Sequence, residues 1–293
     1  MKNIKAIFFD IDGTLLTSQG QIRHSTRCAI ETAQSQGIFC GVATGRAPFE
    51  IQRLIQDLPI DVCVSYNGSL VEMADVSIYE RTFSPERLEE LVEVCTHQKR
   101  QMIFETRTKK IGSFAIRIGH TYPFSAWIPV LSKWFPLEKV TKLFSYLKTK
   151  RLSRGVRQML DQQQKVYQCV VLTTPSDEAS LHQLEQVDVL RSNPYSVDIV
   201  PKDGNKIVGI QMFGRFTDIS LDEIMVFGDH ENDMGMLQAA GIGVAMGNAS
   251  DHVKAVADYV TKSNQDDGIC EAMEHFGILT KTKKTLSNGL VGQ

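Results

Sequence analysis

The chain has 293 residues, 42% of them hydrophobic, and a formal net charge of −2 at pH 7. This length exceeds one typical compact domain and therefore predicts two. The slightly negative net charge argues against a general nucleic-acid binder, because such proteins carry a strong excess of basic residues. No segment approaches the roughly 20 consecutive apolar residues that a membrane-spanning helix needs. The apolar run over residues 4–9 is short and interrupted by Lys5, unlike a secretion signal, so we expect a cytoplasmic location.

The first predicted element is a hydrophobic strand over residues 3–9, which ends in Asp10-Ile11-Asp12-Gly13-Thr14. Ligands of open parallel sheets bind outside the carboxyl ends of the strands. Gly13 and Thr14 predict a tight turn that lets Asp10 and Asp12 converge on one point, with backbone N–H groups facing it. One aspartate could then act as a nucleophile and the other as acid and base. An Asp-Gly pair alone is more often an ordinary turn, so this interpretation depends on the rest of the chain.

Together with the first strand, the next elements alternate in the order β, α, β, α, β, which indicates a parallel sheet. The predicted elements are a helix over 24–36, a strand over 38–42, a helix to about residue 57, a strand over 62–65 and short strands over 69–73 and 76–82. Thr44-Gly45 follows the second strand, where a hydroxyl and an N–H could hold phosphoryl oxygens. By itself this dipeptide is more often a plain loop. Asn67-Gly68 favours a reversal of the chain.

The pattern changes at residue 83. The predicted elements there are a helix from Ser84-Pro85 to about residue 98, strands over 101–105, 113–118 and 166–172, and helices over 136–149 and 176–186. We therefore predict an inserted α/β domain over residues 83–194, and a discontinuous core over residues 1–82 and 195–293. The basic stretch 148–157 is more typical of a solvated helix end than of a phosphate-binding patch.

The core pattern then resumes and brings two more candidate stretches. The predicted elements are helices over 205–214, 231–240, 250–256 and 267–275, and strands over 224–227, 242–245 and 258–260, before a polar tail from residue 281. Lys206 begins the first of these helices, where an isolated lysine is usually a solvated charge. Asp229 and Asp233 follow the strand that ends at residue 227, so both acids would face Asp10. Oxygen ligands of this kind suit Mg²⁺, whereas a helix cap is the alternative for Asp229.

Taken together, these stretches resemble the haloacid dehalogenase superfamily over residues 1–82 and 196–276, and within it the Cof-like sugar-phosphatase branch. The resemblance is carried by Asp10-Ile11-Asp12-Gly13-Thr14-Leu15, Ala43-Thr44-Gly45-Arg46, Tyr66-Asn67-Gly68, residues 228–237, and Val244-Ala245-Met246-Gly247-Asn248-Ala249. It implies a Rossmann-like α/β core with a mostly parallel, three-layer arrangement, interrupted by a C2-type α/β cap. The stretch Asp203-Gly204-Asn205-Lys206 departs from the more common Gly-Val-Ser-Lys-Gly of the branch.

The resemblance also implies roles for individual residues. Asp10 would be the nucleophile and Asp12 the general acid and base. The Mg²⁺ ligands would be Asp10, the Asp12 carbonyl and Asp229, with Asp233 in a supporting position. The implied phosphate-binding residues are Thr44, Gly45, Lys206 and Asn232, the last beside Asp233 in the supporting shell. The substrate-side candidates are Arg46 and Asn67.

The chemistry of phosphoryl transfer favours the same roles. Attack of a carboxylate on a phosphate ester brings two anions together, so Mg²⁺ and Lys206 would screen the charge, while Asp12 could protonate the leaving group. We therefore predict a Mg²⁺-dependent phosphatase that hydrolyses a small phosphorylated metabolite, with a sugar phosphate favoured, through an aspartyl-phosphate intermediate. The alternatives are a phosphomutase with the same chemistry and a non-catalytic phosphometabolite-binding protein. We expect no nucleic-acid or membrane partner, and a monomer or weak homodimer.

Overall fold

The computed structural model describes residues 3–55, 58–112, 154–193 and 196–280. The strands in this part of the chain are β1 (Ala6–Phe9), β2 (Phe39–Ala43), β3 (Val62–Ser65), β4 (Leu70–Met73), β5 (Val76–Glu80), β6 (Met102–Glu105), β7 (Lys110–Gly112), β8 (Gln168–Leu172), β9 (Val187–Asn193), β10 (Ser196–Pro201), β11 (Ile224–Gly228), β12 (Ile242–Ala245) and β13 (Tyr259–Val260). The α-helices are α1 (His24–Ser35), α2 (Pro48–Ile55), α3 (Pro85–His97), α4 (Arg154–Asp161), α5 (Lys206–Thr217), α6 (Met234–Ala239), α7 (Asp251–Lys254) and α8 (Gly268–His275).

The first sheet has eight strands in the order β13-β12-β11-β1-β2-β3-β4-β5. The six strands from β13 to β3 run parallel, and β4 and β5 add antiparallel pairs at one edge. All four residues of β1 are buried, because apolar clusters cover both faces of the sheet. One cluster joins Ile7 to α1, α2 and α8, and the other joins Phe8 to α5 and α6. These layers confirm the predicted three-layer core, in which a parallel sheet is apolar on both faces.

The second sheet has five strands in the order β7-β6-β8-β10-β9, and all of its pairs are antiparallel. Its own apolar cluster joins these strands to α3 and α4. As predicted, Ser84 caps α3, accepting a hydrogen bond from the Arg87 N–H, and Pro85 occupies its first turn. None of the helices in the described part of the chain has the length and apolar character needed to cross a bilayer.

The predicted helix over 176–186 is wrong. The segment forms successive turns, closed by hydrogen bonds such as that from the Asp177 N–H to the Thr174 carbonyl, and β9 follows it. The Thr174 hydroxyl donates to the Asp177 carboxylate at 3.0 Å, and local side-chain bonds of this kind compete with helix formation. The Glu178 carboxylate is also held by Arg191 of β9, which fixes the turn against the strand.

The predicted return to the core at residue 195 is too early. Strand β10 pairs antiparallel with β8 and β9, so it belongs to the second sheet, and the chain rejoins the first sheet only after Pro201. The run Ser196-Val197-Asp198-Ile199 alternates polar and apolar residues, and this local pattern does not indicate which sheet the segment joins. The predicted elements over 113–118 and 136–149, most of the basic stretch 148–157 and the tail from residue 281 lie outside the described residues.

Candidate active site

The loop after β1 places Asp10 at the carboxyl edge of the first sheet. The Asp10 N–H donates to the Phe227 carbonyl of β11 at 3.0 Å, and the Leu15 N–H donates back to the Asp10 carbonyl at 3.2 Å, which closes the predicted turn. Asp10 is only 5% exposed. Burial raises the pKa of its carboxyl to about 8, although the nearby Lys206 ammonium acts in the opposite direction.

Lys206 is a buried cation shared by two carboxylates. Its Nζ donates to Asp10 Oδ1 and to Asp233 Oδ1, each at 2.6 Å, and the residue is 1% exposed. Burial by itself would lower the pKa of this ammonium, but Asp10 and Asp233 raise it above its ordinary value. Asn205 caps α5 by accepting a hydrogen bond from the Val208 N–H at 3.0 Å, which fixes where Lys206 enters the site. The lysine is therefore not the solvated charge that an isolated position suggests.

Asp233 supports the loop after β11. Its Oδ2 accepts hydrogen bonds from the N–H groups of Asp229 and His230, both at 2.9 Å, while its Oδ1 is held by Lys206. Both oxygens of this fully buried carboxylate therefore have protein partners. Its supporting position beside the metal ligands stays a prediction from the sequence.

Asp229 lies against the turn after β1. Thr14 Oγ1 donates to Asp229 Oδ1 at 3.0 Å, and Asn248 Nδ2 lies 3.2 Å from Asp229 Oδ2. Asn248 also donates to the Gly13 carbonyl at 2.9 Å. Thr14 and Asn248 were not among the predicted site residues. The signal for Asn248 is its place just after β12, at the same edge of the parallel sheet.

His230 adds a nitrogen to this acidic cluster. Its Nδ1 lies 2.9 Å from Asp229 Oδ2, and this hydrogen bond raises the pKa of the imidazole to about 9. Within the described residues, the possible ligand atoms of Asp229, His230 and Asp233 lie within 4.8 Å of one another. Carboxylate oxygens suit a hard cation such as Mg²⁺, whereas histidine suits softer metals.

Arg46 contacts Asp12 in a fork. Its Nε donates to Asp12 Oδ2 at 2.5 Å and its Nη2 donates to Asp12 Oδ1 at 2.6 Å. The Asp12 side chain is 49% exposed, so it lies at the open side of the site. Arg46 was predicted as a substrate-side residue, which stays a prediction. The structure shows its guanidinium bound to the carboxylate of Asp12, the predicted acid and base.

Thr44 and Gly45 follow β2, which pairs directly with β1 so that Val42 lies opposite Phe9. The buried Thr44 accepts a hydrogen bond from the Arg46 N–H at its Oγ1, at 3.2 Å. A Cβ on Gly45 would lie 2.9 Å from Asn67 Nδ2, closer than such atoms approach, so a larger residue at this position would displace the Asn67 carboxamide.

Asn67 was also predicted on the substrate side, and the structure gives its carboxamide other partners. Its Nδ2 donates to Gln168 Oε1 at 2.9 Å and to Asp198 Oδ2 at 3.1 Å, and its Oδ1 accepts from Asn232 Nδ2 at 3.1 Å. Asn232, a predicted phosphate-binding residue, thus reaches the same loop. Asn67 is fully buried between the two sheets.

Residues 7–273 match the family model described as haloacid dehalogenase-like hydrolase. The chain belongs to this family. The resemblance predicted from its motifs is therefore confirmed, since the matched residues include all the candidate stretches on both sides of the second sheet.

Individual relatives of this haloacid dehalogenase-like hydrolase cover nearly its whole length. The stress response protein YhaX of Bacillus subtilis (strain 168) is 27% identical over 278 residues, with 91% of each chain covered. The 5-amino-6-(5-phospho-D-ribitylamino)uracil phosphatase YcsE of the same organism is 26% identical over 279 residues, covering 94% of this chain and 96% of the relative. The solved structure of the subclass IIB sugar phosphatase BT4131 is 30% identical, with a TM-score of 0.77, and covers 94% of this chain and 100% of that chain.

The enzyme class follows from the family and these relatives. The haloacid dehalogenase-like chain is a phosphoric monoester hydrolase, as its motifs predict.

A substitution at Gly13 tests the contact between the turn after β1 and Asp229. Its φ is +87°, and a Cβ at this position would lie 2.1 Å from Asp229 Oδ2. We expect Gly13→Ala to displace the Asp229 carboxylate and to lower phosphatase activity by about 100-fold or more. Steady-state phosphate release measures the effect.

Gly37→Ala is the matched control for this variant. Gly37 has a φ of +81°, but no atom lies within 4 Å of a Cβ built there. It carries the same left-handed backbone cost of about 1–2 kcal/mol without the clash, so it should lose stability and keep activity. Equal activity of the two variants would contradict the proposed importance of Asp229.

Proposed function

We propose that the chain is a Mg²⁺-dependent phosphatase that hydrolyses a small phosphorylated metabolite, with sugar phosphates as the favoured class, through an aspartyl-phosphate on Asp10. The observation that carries this proposal is the buried Asp10–Lys206–Asp233 triad at the carboxyl edge of the first sheet, with Nζ to carboxylate distances of 2.6 Å. A lysine in direct contact with the nucleophile is suited to screen an incoming phosphoryl group.

The proposed reaction has two displacements at phosphorus. A bond forms between an Asp10 carboxylate oxygen and phosphorus while the ester P–O bond breaks, and Asp12 gives its proton to the leaving alkoxide. Water then attacks the phosphorus of the aspartyl phosphate, Asp12 takes the proton of that water, and the bond to Asp10 breaks. Inorganic phosphate leaves, and both carboxyl groups return to their starting state.

The donors at this edge fit a hard divalent cation. Asp10 and Asp229 provide carboxylate oxygens, the Asp12 carbonyl is a third proposed ligand, and the absence of a side chain at Gly13 leaves room for the Asp229 carboxylate. When bound, Mg²⁺ would neutralise phosphoryl oxygens and hold the ester in line with Asp10. Thr14 and Asn248 orient Asp229 for this role by their hydrogen bonds to its two oxygens.

We expect Mg²⁺ to activate phosphate release and Ca²⁺ to inhibit it. The larger ion takes six to eight oxygen ligands and can engage the nucleophilic carboxylate in ways that spoil its attack. The measurement is steady-state phosphate release after exhaustive chelation, followed by stepwise return of each ion. Full activity in the chelated enzyme would rule out the proposed metal requirement.

Support for a sugar phosphate comes from the relatives, since BT4131 is a subclass IIB sugar phosphatase and YcsE is a 5-amino-6-(5-phospho-D-ribitylamino)uracil phosphatase. A screen of phosphorylated metabolites, followed by kcat/KM for the best of them, tests this substrate class. Activity that depends on a bisphosphorylated sugar would instead favour the phosphomutase alternative. Absence of turnover with bound phosphometabolite would favour the non-catalytic alternative.

We also propose a division of labour between the two sheets, with the second sheet acting as a cap over the catalytic loops. The chain leaves the first sheet near Arg81 and returns near Lys202, and the Arg81 guanidinium hydrogen-bonds the Lys202 carbonyl, so the two crossings lie side by side. The cap then spans residues 83–201, with the predicted end at 194 moved to include β10. The cytoplasmic location and the monomer or weak homodimer stay predictions from the sequence.

A further inference from the structure

The carboxamide of Asn67 connects three parts of the molecule. It follows β3 of the first sheet, it accepts from Asn232 in the loop after β11, and it donates to Gln168 on β8 and Asp198 on β10 of the second sheet. An ionised carboxylate only accepts hydrogen bonds. The Asn67 atom that contacts Asp198 is therefore the amide nitrogen Nδ2, which donates. Both N–H groups of the amide are therefore used on the second sheet.

The same contacts reach the predicted phosphate-binding loop. Gln168 Nε2 donates to the Gly45 carbonyl at 3.0 Å, and the Asn67 N–H donates to the Thr44 carbonyl at 2.9 Å. Asp198 Oδ2 lies 3.2 Å from the place that a Cβ on Gly45 would occupy. A movement of the second sheet away from the first would therefore break the hydrogen bond to Gly45 and remove the second-sheet partners of Asn67, whose own N–H binds the Thr44 carbonyl.

The backbone of Tyr66 and Asn67 is strained, and contacts with the second sheet stabilise it. Tyr66 and Asn67 both have left-handed backbones, with φ values of 50° and 52°, which is costly for a bulky residue such as Tyr66. Tyr66 stacks on Tyr167 with ring centroids 5.2 Å apart, and its hydroxyl donates to the Thr106 carbonyl at 2.8 Å. Both partners precede or follow strands of the second sheet, so the strained conformation depends on contact with that sheet.

We propose that Asn67 is a positioning residue whose hydrogen bonds to Gln168 and Asp198 form a latch between the second sheet and the catalytic loops. The latch, defined as Asn67, Gln168 and Asp198, holds Thr44-Gly45 in its substrate-binding form when the second sheet is closed. Its effect on catalysis rests on the proposed phosphatase function, whereas its effect on closure does not.

Asn67→Asp tests the latch with little change in size. Aspartate also tolerates a left-handed backbone, but it has no N–H to donate and sets a second carboxylate against Asp198. If the latched fraction falls tenfold, the apparent affinity falls by the same factor, so we expect KM to rise about tenfold while kcat changes by less than about threefold. General destabilisation would instead lower the amount of active enzyme at an unchanged KM.

Adding Asp198→Asn to this variant returns a donor to the opposite side of the contact. We expect the double variant to have a KM at least about threefold below that of Asn67→Asp. A KM equal to or above that of Asn67→Asp would overturn the latch. Asp188→Asn is the matched control. Asp188 lies on β9 of the same sheet, and its Oδ1 accepts from Lys202 Nζ at 2.8 Å, outside the latch. It should leave KM unchanged.

Gln168→Leu provides a second route if Asn67→Asp does not fold. It removes the Gln168 oxygen that accepts from Asn67 and the nitrogen that donates to Gly45. We expect the same rise in KM, and an unchanged KM would overturn the proposal.

Hydrogen exchange of the Tyr66 and Asn67 amides reports the latch without catalysis. Exchange should be faster in Asn67→Asp and slower again in the double variant. A wild-type enzyme that hydrolyses no phosphate monoester would refute the proposed function, while this exchange measurement would still decide the latch.

Discussion

Asp10→Asn is expected to reduce turnover by more than about 10⁴-fold, because an amide cannot form the proposed covalent bond to phosphorus. The fold should persist. Asparagine has nearly the same size, and Lys206 would still be held by the Asp233 carboxylate, which it contacts at 2.6 Å. Single-turnover phosphate release and thermal unfolding measure the two expectations on one preparation.

Asp61→Asn is the matched control for this variant. Asp61 accepts from the Cys40 N–H at 2.8 Å and so lies near the start of β2, at the opposite end of the first sheet from Asp10. This substitution should keep turnover near that of the wild type. Normal turnover in a well-folded Asp10→Asn protein would refute Asp10 as the nucleophile.

Lys206→Met is expected to damage both activity and stability. Without the ammonium, the carboxyl groups of Asp10 and Asp233 would be buried with no cation between them, and breaking a buried ion pair on one side typically costs about 3–5 kcal/mol of unfolding free energy. Loss of the charge that screens the phosphoryl group should also lower kcat by about 100-fold to 1,000-fold. Urea unfolding and steady-state phosphate release measure these losses.

The double variant Lys206→Met/Asp10→Asn separates the electrostatic cause from a packing cause. Removing one of the two carboxylates relieves the uncompensated charge, so the double variant should be more stable than Lys206→Met alone. If the two losses of unfolding free energy simply add, the buried carboxylates are not the source of the instability.

The sequence was enough to predict the edge of the sheet where the site lies. Strands that are apolar throughout predict a parallel sheet, and the carboxyl ends of its strands bring Asp10, Thr44 and Asp229 to one edge although they are far apart in the chain. Asp233 was predicted for the same reason, whereas the role of Lys206 came from the resemblance to the family.

The pairings between side chains could not be predicted in this way. The fork from Arg46 to Asp12 and the bond from Thr14 to Asp229 depend on rotamers and on the packing of several loops. Asn67 was read as part of a chain reversal because Asn-Gly is typical of turns. Its partners on the second sheet lie more than 100 residues away and left no local pattern.

The errors in the fold have a similar physical origin. The sequence predicted a return to the core from residue 195, but strand β10 forms there and pairs with β8 and β9 of the second sheet. The local sequence does not indicate which sheet a strand joins. The turns that replace the predicted helix over 176–186 contain the fully buried Leu181. Local hydrogen bonds from Thr174 and Asp177 decided the conformation instead.

The position of β1 in the middle of the first sheet also determines the order in which the enzyme can fold. Ala6 pairs with Phe39 on one side and with Ile224 on the other, so one neighbour is made early in synthesis and the other only after the whole second sheet. Contacts between residues so distant in the chain slow folding. Until β11 is synthesised, one edge of β1 has no strand to pair with, and all four side chains of β1 are apolar. An exposed edge of this kind can pair with another chain. We therefore expect the loop of Asp10, whose N–H bonds to the Phe227 carbonyl, to be completed late in folding.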